Sequence, residues 1–213
     1  MLLTPDQDMI REAVRAFAQE QLWPHAARWD KEHHFPKDAH RGLAALGAYG
    51  ICVPEAYGGA NLDYLTLALV LEEIAAGDGG TSTAISVTNC PVNAILMRYG
   101  NDAQQQKWLP RIAAGTKATL AAPLDEQCDV SQLPRYEGGQ LSGTAGLVMD
   151  GHCAEFAVVL VQNSQGQACL VLAELGSGVT RTTFKTIDPA KPFAQIVFDA
   201  SPAELLDQVE VGA

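Results

Sequence analysis

The sequence lacks a long apolar run and a block of basic residues. No apolar stretch approaches the roughly 20 residues that a membrane-spanning helix needs. Charged residues at Asp6, Asp8 and Arg11 interrupt the N-terminus where a signal peptide has its apolar core. The formal net charge of −11 opposes binding to a phosphate backbone. We therefore expect no nucleic-acid partner and no membrane insertion, and we predict a cytoplasmic protein.

Closely spaced cysteine pairs are also missing. The five cysteines lie far apart, at Cys52, Cys90, Cys128, Cys153 and Cys169. An odd number without a C-x-x-C pair indicates neither a disulfide framework nor a zinc site, and favours small apolar side chains in a reducing compartment. His152-Cys153 and His33-His34 are interpreted as turn and surface residues, because adjacent side chains rarely meet at one site. No metal site is predicted.

Helical signals fill the first half of the chain. Thr4, Pro5 and Gln7 supply an N-cap, a first-turn proline and a possible capping box, and apolar residues then recur at helical spacing. The predicted helices run from Pro5 to Leu22, from Pro36 to Leu46, over Tyr64–Ala76, over about Thr83–Asn89 and Val92–Tyr99, and from Asn101 to Pro110.

Beyond Gly115 the pattern changes to short apolar runs separated by turn residues, which is typical of strands. The predicted strands are Ala118–Ala122, Gln140–Ser142, Gly146–Met149, Phe156–Gln162, Ala168–Glu174, Val179–Lys185 and Ala194–Phe198. The pattern predicts an α+β fold, with an N-terminal all-α helical domain over residues 1–116 and a small antiparallel β-barrel or sandwich domain over residues 117–200. Ser201 to Leu206 is typical of a helix cap and first turn, so residues 201–213 are predicted to start a truncated C-terminal helical domain.

Three phrases carry a family resemblance. They are Leu3-Thr4-Pro5-Asp6-Gln7, Val53-Pro54-Glu55-Ala56-Tyr57-Gly58-Gly59, and Tyr99-Gly100 followed by Gln106-Lys107-Trp108-Leu109-Pro110-Arg111 and Gly115. Together with the order of the elements, they resemble the acyl-CoA dehydrogenase family over essentially the whole chain. The resemblance implies FAD as cofactor and a fatty acyl-CoA as substrate. In that chemistry a carboxylate takes the α proton and the β hydrogen leaves as hydride to the flavin.

The family holds its flavin with two phrases of the β domain. The first aligns with Leu120-Ala121-Ala122-Pro123, followed by a loop one residue longer and by Cys128-Asp129, and the second aligns with Leu147-Val148-Met149. The resemblance therefore implies cofactor contacts at Leu120, Ala121, Ala122, Leu147, Val148 and Met149. Alanine, leucine and methionine replace the family's threonine, tryptophan and threonine at 121, 147 and 149. FAD contact is therefore expected through the backbone, weakly or not at all.

The resemblance also implies substrate contacts. Cys128 takes the place of a serine near the CoA moiety, and Val92, Ile95 and Leu96 resemble the lining of the acyl pocket. The alternative for these three apolar residues is an ordinary helix core. The family's catalytic glutamate belongs to its C-terminal helical domain, and no residue here aligns with it, so no catalytic residue is predicted.

Two kinds of function stay open. The first is FAD-dependent α,β-dehydrogenation of an acyl-CoA thioester, with the remaining domain on a second polypeptide or elsewhere in the gene product; related oxidases share the fold. The second is a non-catalytic subunit that binds an acyl or acyl-carrier thioester or an active paralogue. Uncovered apolar surface favours a homo- or hetero-oligomer in both cases.

Overall fold

The computed structural model describes residues 2–123 and 129–206. The helices are α1 Pro5–Phe17, α2 Trp23–Glu32, α3 Lys37–Ala45, α4 Tyr64–Gly77, α5 Gly79–Val87, α6 Ala94–Tyr99 and α7 Asp102–Ala113. The strands are β1 Ala118–Ala121, β2 Arg135–Glu137, β3 Gln140–Met149, β4 Phe156–Asn163, β5 Ala168–Glu174, β6 Val179–Thr183 and β7 Phe193–Leu205. The expected α+β order is confirmed.

The helix starts follow their predicted caps. The backbone amide of Gln7 donates to Thr4 Oγ1 over 3.2 Å, and the backbone amide of Thr4 donates to the side-chain Oε1 of Gln7. The capping box of α1 is therefore formed. Asn101 and Gln104 form the same reciprocal pair at the start of α7. Both caps satisfy amide groups that the first helical turn leaves without an intrahelical acceptor.

Two π-helical segments join helices into longer rods. Residues Ala18–Leu22 connect α1 to α2, and residues Thr88–Asn93 connect α5 to α6. The second segment contains Pro91, which has no amide hydrogen to donate and disturbs regular α-helical hydrogen bonding. The two stretches predicted around Thr83–Asn89 and Val92–Tyr99 are therefore one continuous helix, because the wider π turn accommodates the proline.

The sheet closes on itself through pairings of β4 with β2, β2 with β3, β3 with β7, β7 with β5 and β5 with β4. The β domain is therefore a small barrel, with β6 added along β7 and β1 along β4. Most pairings are antiparallel as expected, while β1 and β2 run parallel to β4. The predicted strands at 140–142 and 146–149 are parts of the single strand β3, which has two register shifts.

The prediction of a helix from Ser201 to Leu206 is wrong. Residues 201–205 continue β7, where Ser201 lies opposite Leu141 of β3 and Leu205 lies opposite Val171 of β5. A serine followed by proline is a local helix-start signal, but pairing with two distant strands outweighs it. Residues 207–213, the rest of the predicted C-terminal unit, lie outside the described residues.

A third apolar core joins the helices to the barrel, between a helical core and a barrel core. At its centre the Trp108 ring of α7 stacks on Phe156 of β4, with ring centroids 4.5 Å apart and planes inclined by 18°. Arg111 forms a 2.8 Å ion pair with Glu174 of β5, and Lys107 pairs with Glu204 of β7. Helix α7 thus fixes the position of the helices relative to the barrel.

Within the described residues, no helix combines the length and apolar composition needed to cross a bilayer.

Candidate functional site

The two phrases aligned with the family's flavin contacts lie side by side. The Thr119 hydroxyl of β1 donates a 2.6 Å hydrogen bond to the carbonyl oxygen of Met149, at the end of β3. Strand β1 pairs with β4 along one edge, and this bond joins it to β3. The sequence-predicted cofactor residues 120–122 and 147–149 are thus brought to one end of the barrel.

Their side chains offer no hydrogen-bonding group. Ala121 and Val148 are buried in the barrel core, and Leu120 packs against the core between helices and barrel. Ala122 and Met149 are half-buried, and Leu147 is exposed with a positive φ of 51°. Any polar contact with a flavin at these six positions would therefore come from the backbone.

The predicted acyl-contact residues of the π segment and α6 lie in the core between helices and barrel. Val92 and Leu96 are fully buried there, and Ile95 is partly buried against the same cluster as Leu120. Of the predicted flavin residues, Leu120 packs in the same apolar cluster as the three predicted acyl residues. This burial also fits the alternative interpretation of Val92, Ile95 and Leu96 as ordinary helix core. Cys128 lies outside the described residues.

A second group of polar residues gathers where α3 meets the barrel. Lys117 is only 6% exposed, and its Nζ lies 3.8 Å from the centroid of the Phe35 ring and 3.6 Å from Cys153 Sγ. Phe35, which contacts Lys117, also lines a cavity of about 120 Å³ together with His40, Asp150 and His152. The sequence carried no signal for this group, because its members are up to about 120 positions apart.

His40 is the most strongly perturbed base in this group. It is buried, its Nδ1 lies 2.8 Å from the Tyr49 hydroxyl, and its ring stacks on Phe35 at a centroid distance of 4.5 Å. Burial lowers the pKa of His40 to about 2, with a smaller contribution from the charge of Lys117. Burial also raises the pKa of Tyr49. His40 is therefore held neutral in the folded protein.

Asp150, His152 and Cys153 share one turn after β3. Burial raises the pKa of Asp150, an effect that Lys117 and His152 oppose, and burial lowers the pKa of His152. Burial raises the pKa of Cys153 to about 11, again against the charge of Lys117. These shifts all come from removing ionisable groups from water.

Acid should destabilise the protein through His40. The unfolded histidine has a pKa of about 6.5, so between pH 2 and pH 6.5 the unfolded chain binds a proton that the folded chain does not. Stability is present above that range and falls as the pH drops into it. We expect His40→Gln to reduce the loss of unfolding free energy between pH 7 and pH 5 by about 2 kcal/mol, measured by urea denaturation at each pH.

The exposed His34 provides the matched control for this experiment. His34→Gln should keep the pH dependence of the unchanged chain. An identical slope in His40→Gln and the unchanged protein would show that His40 is protonated in the folded state.

Comparison with known proteins assigns the helical half to one family. Residues 4–116 match the model of the acyl-CoA dehydrogenase N-terminal domain. Human mitochondrial short-chain specific acyl-CoA dehydrogenase is 32% identical over 170 residues, which are 76% of this chain and 41% of that protein. Isobutyryl-CoA dehydrogenase of Dictyostelium discoideum is 30% identical over 190 residues, which are 84% of this chain and 45% of that protein. The chain thus spans less than half the length of these relatives.

Solved structures share the fold over nearly the whole chain. Butyryl-CoA dehydrogenase from Megasphaera elsdenii superposes with a TM-score of 0.88 at 21% identity, covering 100% of this chain and 61% of that one. Glutaryl-CoA dehydrogenase from Mycobacterium smegmatis, in complex with FADH2, superposes with a TM-score of 0.85 at 24% identity, covering 98% of this chain and 57% of that one. At these identities the likeness concerns the fold alone.

Proposed function

Because this chain belongs to the acyl-CoA dehydrogenase family, we propose that it binds an acyl-CoA or acyl-carrier thioester as a non-catalytic member that holds no FAD through its own side chains. The family and the acyl-CoA substrates named for its relatives support the thioester. The absence of hydrogen-bonding side chains at 120–122 and 147–149 supports the loss of flavin binding.

The proposal depends on one observation, the apolar character of the side chains at 120–122 and 147–149 at one end of the barrel. A flavin presents several hydrogen-bonding atoms, and a buried acceptor without a donor costs about 1–3 kcal/mol. At this edge Ala121 and Val148 face the barrel core, and the Met149 carbonyl already accepts from Thr119. The described residues therefore do not fit FAD by side-chain contacts, and we assign them no step in a flavin reaction.

A second candidate is FAD-dependent dehydrogenation of an acyl-CoA thioester, as in the family's complete enzymes. The backbone of β1 favours it. Among the strands of residues 2–123 and 129–206, β1 pairs only with β4, and its amide groups are retained whatever the side chains are. In that case the flavin, when bound, would supply hydride acceptance. We assign the role of the base to none of the described residues.

A visible absorbance spectrum separates the two candidates. We expect the purified chain, incubated with excess FAD and desalted, to show no flavin bands while still binding butyryl-CoA in a calorimetric titration. Stoichiometric flavin after desalting would overturn the non-catalytic proposal and favour the dehydrogenase. If butyryl-CoA gives no binding heat, the thioester assignment fails.

Restoring the family's residues should restore flavin binding. The double variant Leu147→Trp/Met149→Thr adds an aromatic surface and a hydroxyl at two positions that are at least partly exposed. We expect FAD affinity to increase by about tenfold in a titration, since one added hydrogen bond contributes about 1.5 kcal/mol at most. Leu46→Trp, at an exposed leucine elsewhere, is the matched control and should retain none.

Oligomer formation and a cytoplasmic location complete the proposal. Large apolar side chains are exposed on both parts of the molecule, including Met9, Trp23, Tyr64, Leu147 and Ile187. Such surface favours association with a second copy or a related subunit. Light scattering that gives a monomer mass at micromolar concentration would contradict self-association.

A further inference from the structure

The turn after β3 holds three side chains of metal-ligand type around one point. Asp150, His152 and Cys153 each present one ligand atom, and these three atoms all lie within 4.8 Å of one another. The three come from a segment of four residues, so their proximity is a property of one tight turn. The distance compares with roughly 3.5 Å between ligand atoms around a tetrahedral zinc ion, a difference that side-chain rotation can close.

Backbone contacts hold the turn firmly in place. The amides of Cys153 and Ala154 both donate to the Asp150 carbonyl oxygen at 3.0 Å, and the Asp150 amide donates to Pro192. Arg181 donates to the carbonyl oxygens of His152 and Leu175. Asp150 itself has a positive φ of 55°. The ligand atoms are thus displayed from a preorganised backbone, which lowers the entropic cost of binding an ion.

His152 provides a sign of a binding site that is independent of this clustering. Its Nδ1 atom is buried without a hydrogen-bond partner. Asp150, beside it, is only 7% exposed, and both residues border the cavity of about 120 Å³. Buried polar atoms without partners commonly mark a site for an ion or an ordered water.

We propose that Asp150, His152 and Cys153 bind one divalent zinc-like cation, with the fourth coordination position open to the cavity. A carboxylate, an imidazole and a thiolate form a donor set that suits zinc, whereas magnesium and calcium prefer oxygen ligands alone. Three protein ligands with one open position are typical of zinc sites that keep a bound water. The cavity is large enough for that water.

Lys117 is the main objection, since a buried ammonium beside the site repels a cation. Its position nevertheless suits an outer-shell role, because Nζ donates to Cys153 Sγ over 3.6 Å while the face of the Phe35 ring supports its charge. A hydrogen bond to a metal-bound thiolate is an outer-shell contact of the kind that tunes zinc sites. Two anionic ligands neutralise the ion, so the ammonium meets no net positive charge.

The test uses the full chain, first stripped with a chelator and then titrated with Zn²⁺ against a chromophoric chelator. We expect one zinc ion per chain. Replacement by Co²⁺ should give a thiolate-to-cobalt charge-transfer band. Cys153→Ser and Asp150→Asn should each weaken zinc binding by at least about 100-fold, because loss of a direct ligand should cost at least as much as the roughly 10–100-fold that loss of an outer-shell contact costs. Retained circular dichroism of both variants would show that they fold.

Matched controls separate this site from adventitious binding. Cys90 is exposed and His33 and His34 border the cavity from the exposed loop after α2, so Cys90→Ser and His33→Gln/His34→Gln should bind zinc as the unchanged chain does. The proposal is overturned if the unchanged chain gives no thiolate-to-cobalt band. It is equally overturned if Cys153→Ser binds zinc as tightly as the unchanged chain, or if only the His33/His34 variant loses the ion.

Discussion

Replacing Trp108 with alanine is expected to lower the free energy of unfolding by about 3–5 kcal/mol, the range found for removal of large aromatic core side chains. Trp108 is 1% exposed and stacks on Phe156 of β4. Lys107 and Arg111 lie over its ring, with Nζ 4.7 Å and Cζ 4.6 Å from the ring centroid. The substitution removes the centre of the core that joins helices to barrel, so urea denaturation followed by circular dichroism should show the loss.

Trp23 supplies the control for this change. It is 69% exposed, and Trp23→Ala makes the same chemical substitution without opening a cavity. We expect it to change stability by less than about 1 kcal/mol, as surface substitutions usually do. Equal effects of the two variants would mean that the stacking of Trp108 on Phe156 does not support the fold.

Replacing Gly59 with alanine is expected to destabilise the protein by about 3 kcal/mol, the upper end of the range for overpacking. A Cβ at this position would lie 2.1 Å from the carbonyl oxygen of Val53. The obstacle is backbone, which cannot rotate away as a flexible side chain can. The Gly59 amide also donates to Pro54, so the turn that begins at Pro54 closes only when residue 59 approaches Val53 this closely.

Gly79 is the matched position for the Gly59 variant. A Cβ at Gly79 meets no heavy atom within 4 Å, and the residue starts helix α5. Gly79→Ala should therefore be neutral or slightly stabilising, because alanine loses less backbone entropy than glycine on entering a helix. A thermal melt of both variants decides the point, and a neutral Gly59→Ala would contradict the close approach of residue 59 to Val53.

Local patterns determined the element types and most of their bounds. The capping boxes at Thr4 and Asn101 and the short apolar runs over 156–162 and 168–174 depend on residues a few positions apart, and each prediction is confirmed. The errors fall where distant partners decide the outcome. Ser201-Pro202 signals a helix start locally, yet β3 and β5 hold it extended. Strand β2 is too short to give a pattern, and pairing with β3 and β4 defines it.

The candidate sites divide in the same way. The sequence by itself determined the family and the loss of polar side chains at Ala121, Leu147 and Met149, because both depend only on which residue occupies each position. Only the tertiary structure decided that Lys117 lies beside Cys153 and that His152 Nδ1 is buried without a hydrogen-bond partner. Burial and proximity depend on how α3 packs against the barrel, and no local pattern records that packing.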